Sequence, residues 1–177
     1  MAVVDEYGAL LPGQIVGVYE IRRKLGQGGF GITYLAAQGG GDRLFAIKEH
    51  FPREFAIREG ATVRPNSNSQ STFKWARDRF LDEARMLSNF PHPAINEVLD
   101  VIETNGTAYM VLKFENASPF GLWLDALGRQ PSQAELDRIV EPLMDALGYV
   151  HGRFVLHRDI APDNILIRHN GTPCLID

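Results

Sequence analysis

His157-Arg158-Asp159-Ile160-Ala161-Pro162-Asp163-Asn164, with the apolar triplet Ile165-Leu166-Ile167 behind it, is the stretch that decides how this 177-residue chain is read. A carboxylate at Asp159 is followed, five positions on, by a carboxamide at Asn164, just before a short strand. That spacing suits a loop that sets one acid at a nucleophilic hydroxyl and one amide oxygen on a hard metal ion. Asp and Asn are also common as plain turn and capping residues. His157 is open to an equally plain reading, as a satisfied core histidine. The meaning of the loop therefore depends on what the rest of the chain supplies.

The neighbourhood of the loop is helical before it and extended after it. Ser132 with Glu135 makes a capping box for a helix that carries Leu136, Ile139, Val140, Leu143, Leu147 and Val150 to His151. Pro142 is expected to kink it. Residues 120–127 form a shorter helix. After the loop, Ile165–Arg168 and residues 173–176 are two short strands that turn at Asn170-Gly171.

Towards the N-terminus the pattern changes to strands. Residues 97–103 and 107–115 are joined by Thr104-Asn105-Gly106, a hairpin signal. Residues 73–89 return to helical spacing, with Phe80, Ala84 and Leu87 on one side, and Pro91-His92-Pro93 stops them. Residues 19–25 alternate apolar and polar, 32–37 form a second strand and 44–48 a third. Residues 1–18 are a lead-in. Residues 49–72 are interrupted by Pro52, Gly60 and Pro65, and their polar end, 66–72, is expected to be mobile.

Bulk properties exclude several classes. A net charge of −4 argues against a nucleic-acid footprint. No apolar run approaches the length of a membrane span, and residues 1–6 lack the pattern of a secretion signal. The single cysteine, Cys174, permits no internal disulfide and fits a reducing, cytoplasmic setting.

Three features remain for the loop to work with. Gly26-Gln27-Gly28-Gly29-Phe30-Gly31 lies between two strands, where a dinucleotide-binding turn would lead from strand to helix. A glycine hairpin can fold over a nucleotide and offer backbone N–H groups to its phosphates, or be only a turn. Lys48 ends a strand and Glu83 sits on the following helix. They are either two solvated charges or an ion pair that fixes the lysine over phosphate oxygens.

In this order the motifs resemble those of the eukaryotic-like Ser/Thr protein kinases of bacteria, from Tyr19 to Asp177. The resemblance implies an α+β, bilobal fold: an antiparallel five-stranded N-lobe with one helix, then the first, mainly helical part of a C-lobe. The domains would be 1–18 as lead-in, 19–115 as N-lobe and hinge, and 116–177 as partial C-lobe. ATP and Mg2+ would be the cofactors, and a protein Ser/Thr hydroxyl the acceptor. Gly26, Gln27, Gly28, Gly29, Phe30 and Gly31 match the nucleotide-covering loop, with Thr33 where valine is usual. Lys48 matches the lysine on the α/β-phosphates and Glu83 its partner. Ala46 and Leu166 match the residues around the adenine, and Leu112, Lys113, Phe114 and Glu115 the hinge. Asp159 matches the catalytic base, and Asn164 and Asp177 the magnesium ligands, with His157 and Arg158 bracing the loop. Val98, Leu87 and His157 match three members of an apolar stack.

The chain also departs from the pattern. The lysine expected two residues after the base is Ala161, and the arginine that tyrosine kinases place two further on is Asp163. This opens an alternative, a nucleotide-binding pseudokinase or scaffold. Lys113 replaces a common glutamate. The segment 49–72 is longer than usual, either a regulatory loop or a tolerated surface insertion. The last residue, Asp177, stands where the metal-binding aspartate opens the Asp-Phe-Gly motif, so truncation is expected there, with an apolar face of the 132–151 helix left exposed.

Overall fold

The structure, a computed structural model, describes Asp5, residues 8–156 and residues 159–176. The chain divides into two compact units. One contains the chain up to Asn89 together with Val98–Phe114; the other contains Phe90–Glu97 and the chain from Glu115 onward.

The first unit is built on an antiparallel sheet in the order β1-β2-β3-β4-β8-β7. Five strands carry it: β2 (Tyr19–Gln27), β3 (Gly31–Gln38), β4 (Leu44–His50), β7 (Val98–Thr104) and β8 (Thr107–Lys113). The two-residue β1 (Ile15–Val16) pairs with the start of β2 at the edge. β7 and β8 are joined by Asn105 and Gly106, both at positive φ (53° and 72°), the twist that two-residue hairpins require.

Strand alternation gives the sheet two different faces. Ile32, Tyr34, Ile47, Tyr109 and Val111 share one face and form a buried cluster with Tyr19, Phe51 and Phe73. On the other face, Phe80, Leu81 and Ala84 of the helix α1 (Gln70–Leu87) pack with Val98, Ala108 and Met110. Each such aliphatic or aromatic side chain, fully buried, contributes about 1.5–3 kcal/mol.

One expectation for this unit needs correction. Residues 66–72 are not a loose polar run. Asn66 N–H donates to the Phe55 carbonyl, the Asn66 side chain to the Glu54 carbonyl, and α1 begins at Gln70. Asn66 closes a turn just ahead of the helix, a role that Asn fills well. Just before them, β5 (Ala56–Glu59) and β6 (Thr62–Pro65) form a separate hairpin whose Ala56 and Val63 enter the main cluster. The lead-in is also built in: Ala9 and Leu10 are buried in the same cluster.

The second unit holds α2 (Phe120–Leu127), α3 (Gln133–His151) and a three-stranded sheet in the order β11-β10-β9. Its strands are β9 (Ala117–Pro119), not expected from sequence, β10 (Ile165–Arg168) and β11 (Pro173–Leu175). Ile139, Ile165, Ile167 and Leu175 make the core, with Phe120, Trp123, Leu143 and Leu147 against it. The capping box is present: Ser132 Oγ accepts from Glu135 N–H, and Glu135 accepts from Ser132 N–H at 2.8 Å. α3 runs through Pro142 as one helix. Val140 and Met144, on its outer side, are 50% and 62% exposed. Among the described residues no helix is long and apolar enough to cross a membrane.

Candidate active site

The glycine turn is a hairpin between β2 and β3, closed by Gly28 N–H donating to the Gly31 carbonyl at 2.9 Å. Its glycines are there for different reasons. A Cβ on Gly26, Gly28 or Gly29 would meet nothing within 4 Å, so this backbone is open to approach. A Cβ on Gly31 would fall on the Glu49 carbonyl oxygen, so Gly31 is needed by strand packing. Phe30, at the tip, is 77% exposed, and Gln27 pairs with Ile32 across the hairpin.

The register of β3, β4 and β8 collects several predicted residues on one face. Thr33 lies opposite Lys48, and Lys48 opposite Met110; Ala46 lies opposite Leu112. Ala46 is buried, and Thr33, Lys48 and Leu112 are half-buried. Lys113 is exposed and Phe114 half-buried where the unit ends.

Glu83 is the predicted residue that this arrangement does not collect. It is exposed on α1, and the ion pairs described for that helix are Lys74–Asp78, Arg77–Asp78, Arg79–Asp82, Arg85–Asp82 and Arg85–Glu103, with none between Lys48 and Glu83. α1 buries Phe73, Phe80, Leu81 and Ala84, which leaves Glu83 on the wet side of that contact.

The second unit holds the loop. Pro162–Asn164 form one turn of 3-10 helix, with Asn164 N–H donating to the Ala161 carbonyl at 3.0 Å. The Asn164 amide donates to the Asp159 carbonyl at 3.0 Å and to Asp159 Oδ2 at 2.9 Å. With its side-chain nitrogen committed, Asn164 presents its side-chain Oδ1, an oxygen of the kind that suits a hard cation such as magnesium. Ile176 N–H donates to the main-chain carbonyl of Asn164 at 2.9 Å, so the strand after β10 returns beside the loop. Asp159 and Asp163 are exposed and Ala161 half-buried. His157, Arg158 and Asp177 lie outside the described residues. Among the described residues no group of three His, Cys, Asp or Glu could hold a metal.

Leu166 is half-buried on β10, between Pro119 and Cys174. Glu115, predicted in the hinge, has a structural side-chain role. Arg168 grips it with a two-point fork (Nε–Oε2 2.9 Å, Nη2–Oε1 3.0 Å) and also donates to the Pro173 carbonyl. The Glu115 hydrogen bond raises the Arg168 pKa, so the guanidinium stays charged.

Sequence reasoning missed one polar cluster entirely. Glu49, next to Lys48, is fully buried, and Arg58 of β5 donates to it at 2.5 Å. Tyr34 also donates to it, at 2.8 Å. The signal was present in the alternation: Phe45, Ile47 and Glu49 fall on one face of β4, so a carboxylate follows two core residues.

Residues 19–177 match the family described as Protein kinase domain. The chain is 29% identical over 173 residues to the ovarian-specific serine/threonine-protein kinase Lok of Drosophila melanogaster, covering 94% of this chain and 33% of that one. It is 30% identical over 164 residues to the serine/threonine-protein kinase PknA of Nostoc, covering 90% and 27%. The solved structure of the PpkA-294 apo form superposes with a TM-score of 0.87 at 34% identity, over 96% of this chain and 61% of that one. The PknI kinase domain of Mycobacterium tuberculosis gives 0.71 at 26%. The chain thus spans a third or less of these two curated relatives. With a family match over residues 19–177, the motifs in family order and the same fold in its solved relatives, the chain belongs to the protein kinase domain family.

Proposed function

We propose that the protein containing this chain transfers the γ-phosphoryl group of ATP to a Ser or Thr hydroxyl of a protein substrate. The observation that carries the reading is the hydrogen-bonded Asp159–Asn164 loop, in a chain whose glycine hairpin and strand lysine precede it in the family's order.

The roles follow from the chemistry of each group. The open backbone of Gly26, Gly28 and Gly29 covers the phosphates. Lys48 contacts the α- and β-phosphates as a compact charge, with Glu83 its partner in the nucleotide-bound form. Thr33, Ala46, Leu112 and Leu166 surround the adenine, and the backbone at 113–115 binds its edge. Asp159 accepts the hydroxyl proton while the hydroxyl oxygen bonds to the γ-phosphorus. The bond from that phosphorus to the β–γ bridging oxygen breaks, and ADP leaves with the electron pair. Asn164 and Asp177 would hold magnesium, which would supply charge neutralisation when bound. What the chain itself provides is mainly positioning and electrostatics.

A second reading has one observation behind it. No cation occurs between Asp159 and Asn164, because Ala161 and Asp163 stand at the two positions that would supply one. In that reading the protein binds nucleotide without transfer. The two separate in one experiment on the full-length protein: MgATP binding by calorimetry beside labelled-phosphate transfer, with Asp159→Asn as control. Kinase function predicts that both proteins bind and only the wild type transfers. Equal transfer signal from both would refute it, and binding with no transfer from either would establish the second reading.

A further inference from the structure

The buried cluster next to Lys48 has no part in the chemistry above, and its construction is unusual for a structural element. The side chains of Arg58 and Glu49 retain 2% and 0% exposure. Taking two charges out of water costs several kcal/mol per ion, and well-packed apolar residues of similar volume do as well or better for stability. What a buried, hydrogen-bonded ion pair provides beyond packing is a single fixed geometry.

The geometry fixed here is that of the end of β4. Glu49 is the last residue of β4 paired with β8, opposite Tyr109. Its carboxylate is held by Arg58 Nη2 at 2.5 Å and the Tyr34 hydroxyl at 2.8 Å. Burial, then the Glu49 carboxylate, pushes the Tyr34 and Tyr109 hydroxyls well above the usual tyrosine range, so both keep their protons. Because side chains alternate along a strand, holding Glu49 on the core face holds Lys48 on the opposite one.

The same cluster holds the N-terminal segment. Arg58 Nε donates to the Gly8 carbonyl at 2.6 Å, and Leu10 N–H donates to the Tyr34 hydroxyl at 3.1 Å. Arg58 also lies over the Phe51 ring, 4.7 Å from its centroid, and donates to the Ala61 carbonyl. Lys24 and Asp5 pair at 2.8 Å, and Ala9 and Leu10 are buried. The lead-in is thus clipped to the two residues that grip Glu49.

We infer that Glu49, Arg58 and Tyr34 are positioning residues for Lys48, and that docking of Gly8–Leu10 onto them helps set how tightly the phosphates of the nucleotide are held. This rests on the reading of Lys48 as a phosphate contact. The effect is therefore specific to phosphate: nucleotide affinity depends on the cluster and nucleoside affinity does not.

The test compares Kd for MgATP and for adenosine in the full-length protein, with thermal melting as the check on folding. Lys48→Ala is the reference. The paired variant Glu49→Leu/Arg58→Met removes the ion pair while keeping the site filled, so it is expected to fold. Tyr34→Phe removes one hydroxyl and decides the question should the paired variant not fold. Expected is a loss of about tenfold or more in MgATP affinity, with adenosine affinity within about twofold, for the reference and the cluster variants. Deletion of residues 1–10 is expected to shift the ratio the same way. An unchanged ratio in folded cluster variants, with Lys48→Ala showing the loss, would overturn this inference alone; so would an equal loss for both ligands. An unchanged ratio in Lys48→Ala would overturn the reading of Lys48, and this inference with it.

Discussion

Asn164 gives its side-chain amide to Asp159 twice, once to the main-chain carbonyl and once to the carboxylate, at 3.0 and 2.9 Å. One residue thereby fixes the Asp159 side chain, and in the proposed function its remaining side-chain oxygen would face the magnesium ion. Asn164→Ala is expected to lower phosphoryl transfer about tenfold or more and to raise the magnesium concentration needed for half-maximal rate. A magnesium titration of the initial rate checks both. Because the contacts are exposed, the stability cost is about 1 kcal/mol.

The glycine hairpin gives a contrast within one motif. Gly31→Ala sets a Cβ against the Glu49 carbonyl and is expected to destabilise by about 1–3 kcal/mol in a denaturant melt. Gly28→Ala meets nothing within 4 Å and is expected to change stability by less than about 0.5 kcal/mol. Any loss of nucleotide affinity in Gly28→Ala then reports the ligand rather than the fold.

Acid stability should fall in two successive windows that overlap near pH 4. Burial, then the nearby Arg77, pushes buried His50 down to about 4 from 6.5. The unfolded chain binds that proton first, so stability is lost as pH falls from 6.5 towards 4. Hydrogen bonding from Arg129, then from Ser132, lowers Glu135 to about 2 from 4.5. Its contribution is present above 4.5 and is lost as pH falls towards 2. Melting temperature followed against pH is expected to lose the first window in His50→Gln and the second in Glu135→Gln.

Arg168→Ala is expected to cost about 1.5–3 kcal/mol, because it removes a two-point fork to Glu115 and a bond to the Pro173 carbonyl from a partly buried site. The exchange protection of the amides of β9–β11 should fall with it. Glu115→Gln, which keeps one acceptor, should cost less.

The ease of reading this chain from sequence tracks how local each feature is. The β7–β8 turn follows from Asn105-Gly106 alone, and the start of α3 from Ser132 and Glu135, because the deciding contacts span one to three residues. The β10 strand and the Asp159–Asn164 loop were legible for the same reason. The β5–β6 hairpin was not, because Ala56 and Val63 become core only through packing against distant strands. Nor was the role of Glu49: its partners Tyr34 and Arg58 lie 15 and 9 residues away. Glu83 shows the converse case: family order suggests a contact with Lys48, and here Glu83 lies exposed on α1, with no ion pair between the two among the described residues.

The most direct test of phosphotransfer asks which bond of ATP is broken. The full-length protein is incubated with magnesium and a protein substrate, with ATP labelled at either the γ- or the α-phosphate, and the labelled protein is hydrolysed to its amino acids. The account predicts phosphoserine or phosphothreonine from γ-labelled ATP, none from α-labelled ATP, and a fall of about 10²-fold or more with Asp159→Asn. Label arriving from the α-phosphate, label on no hydroxyl amino acid, or an undiminished signal in the Asp159→Asn protein would contradict it.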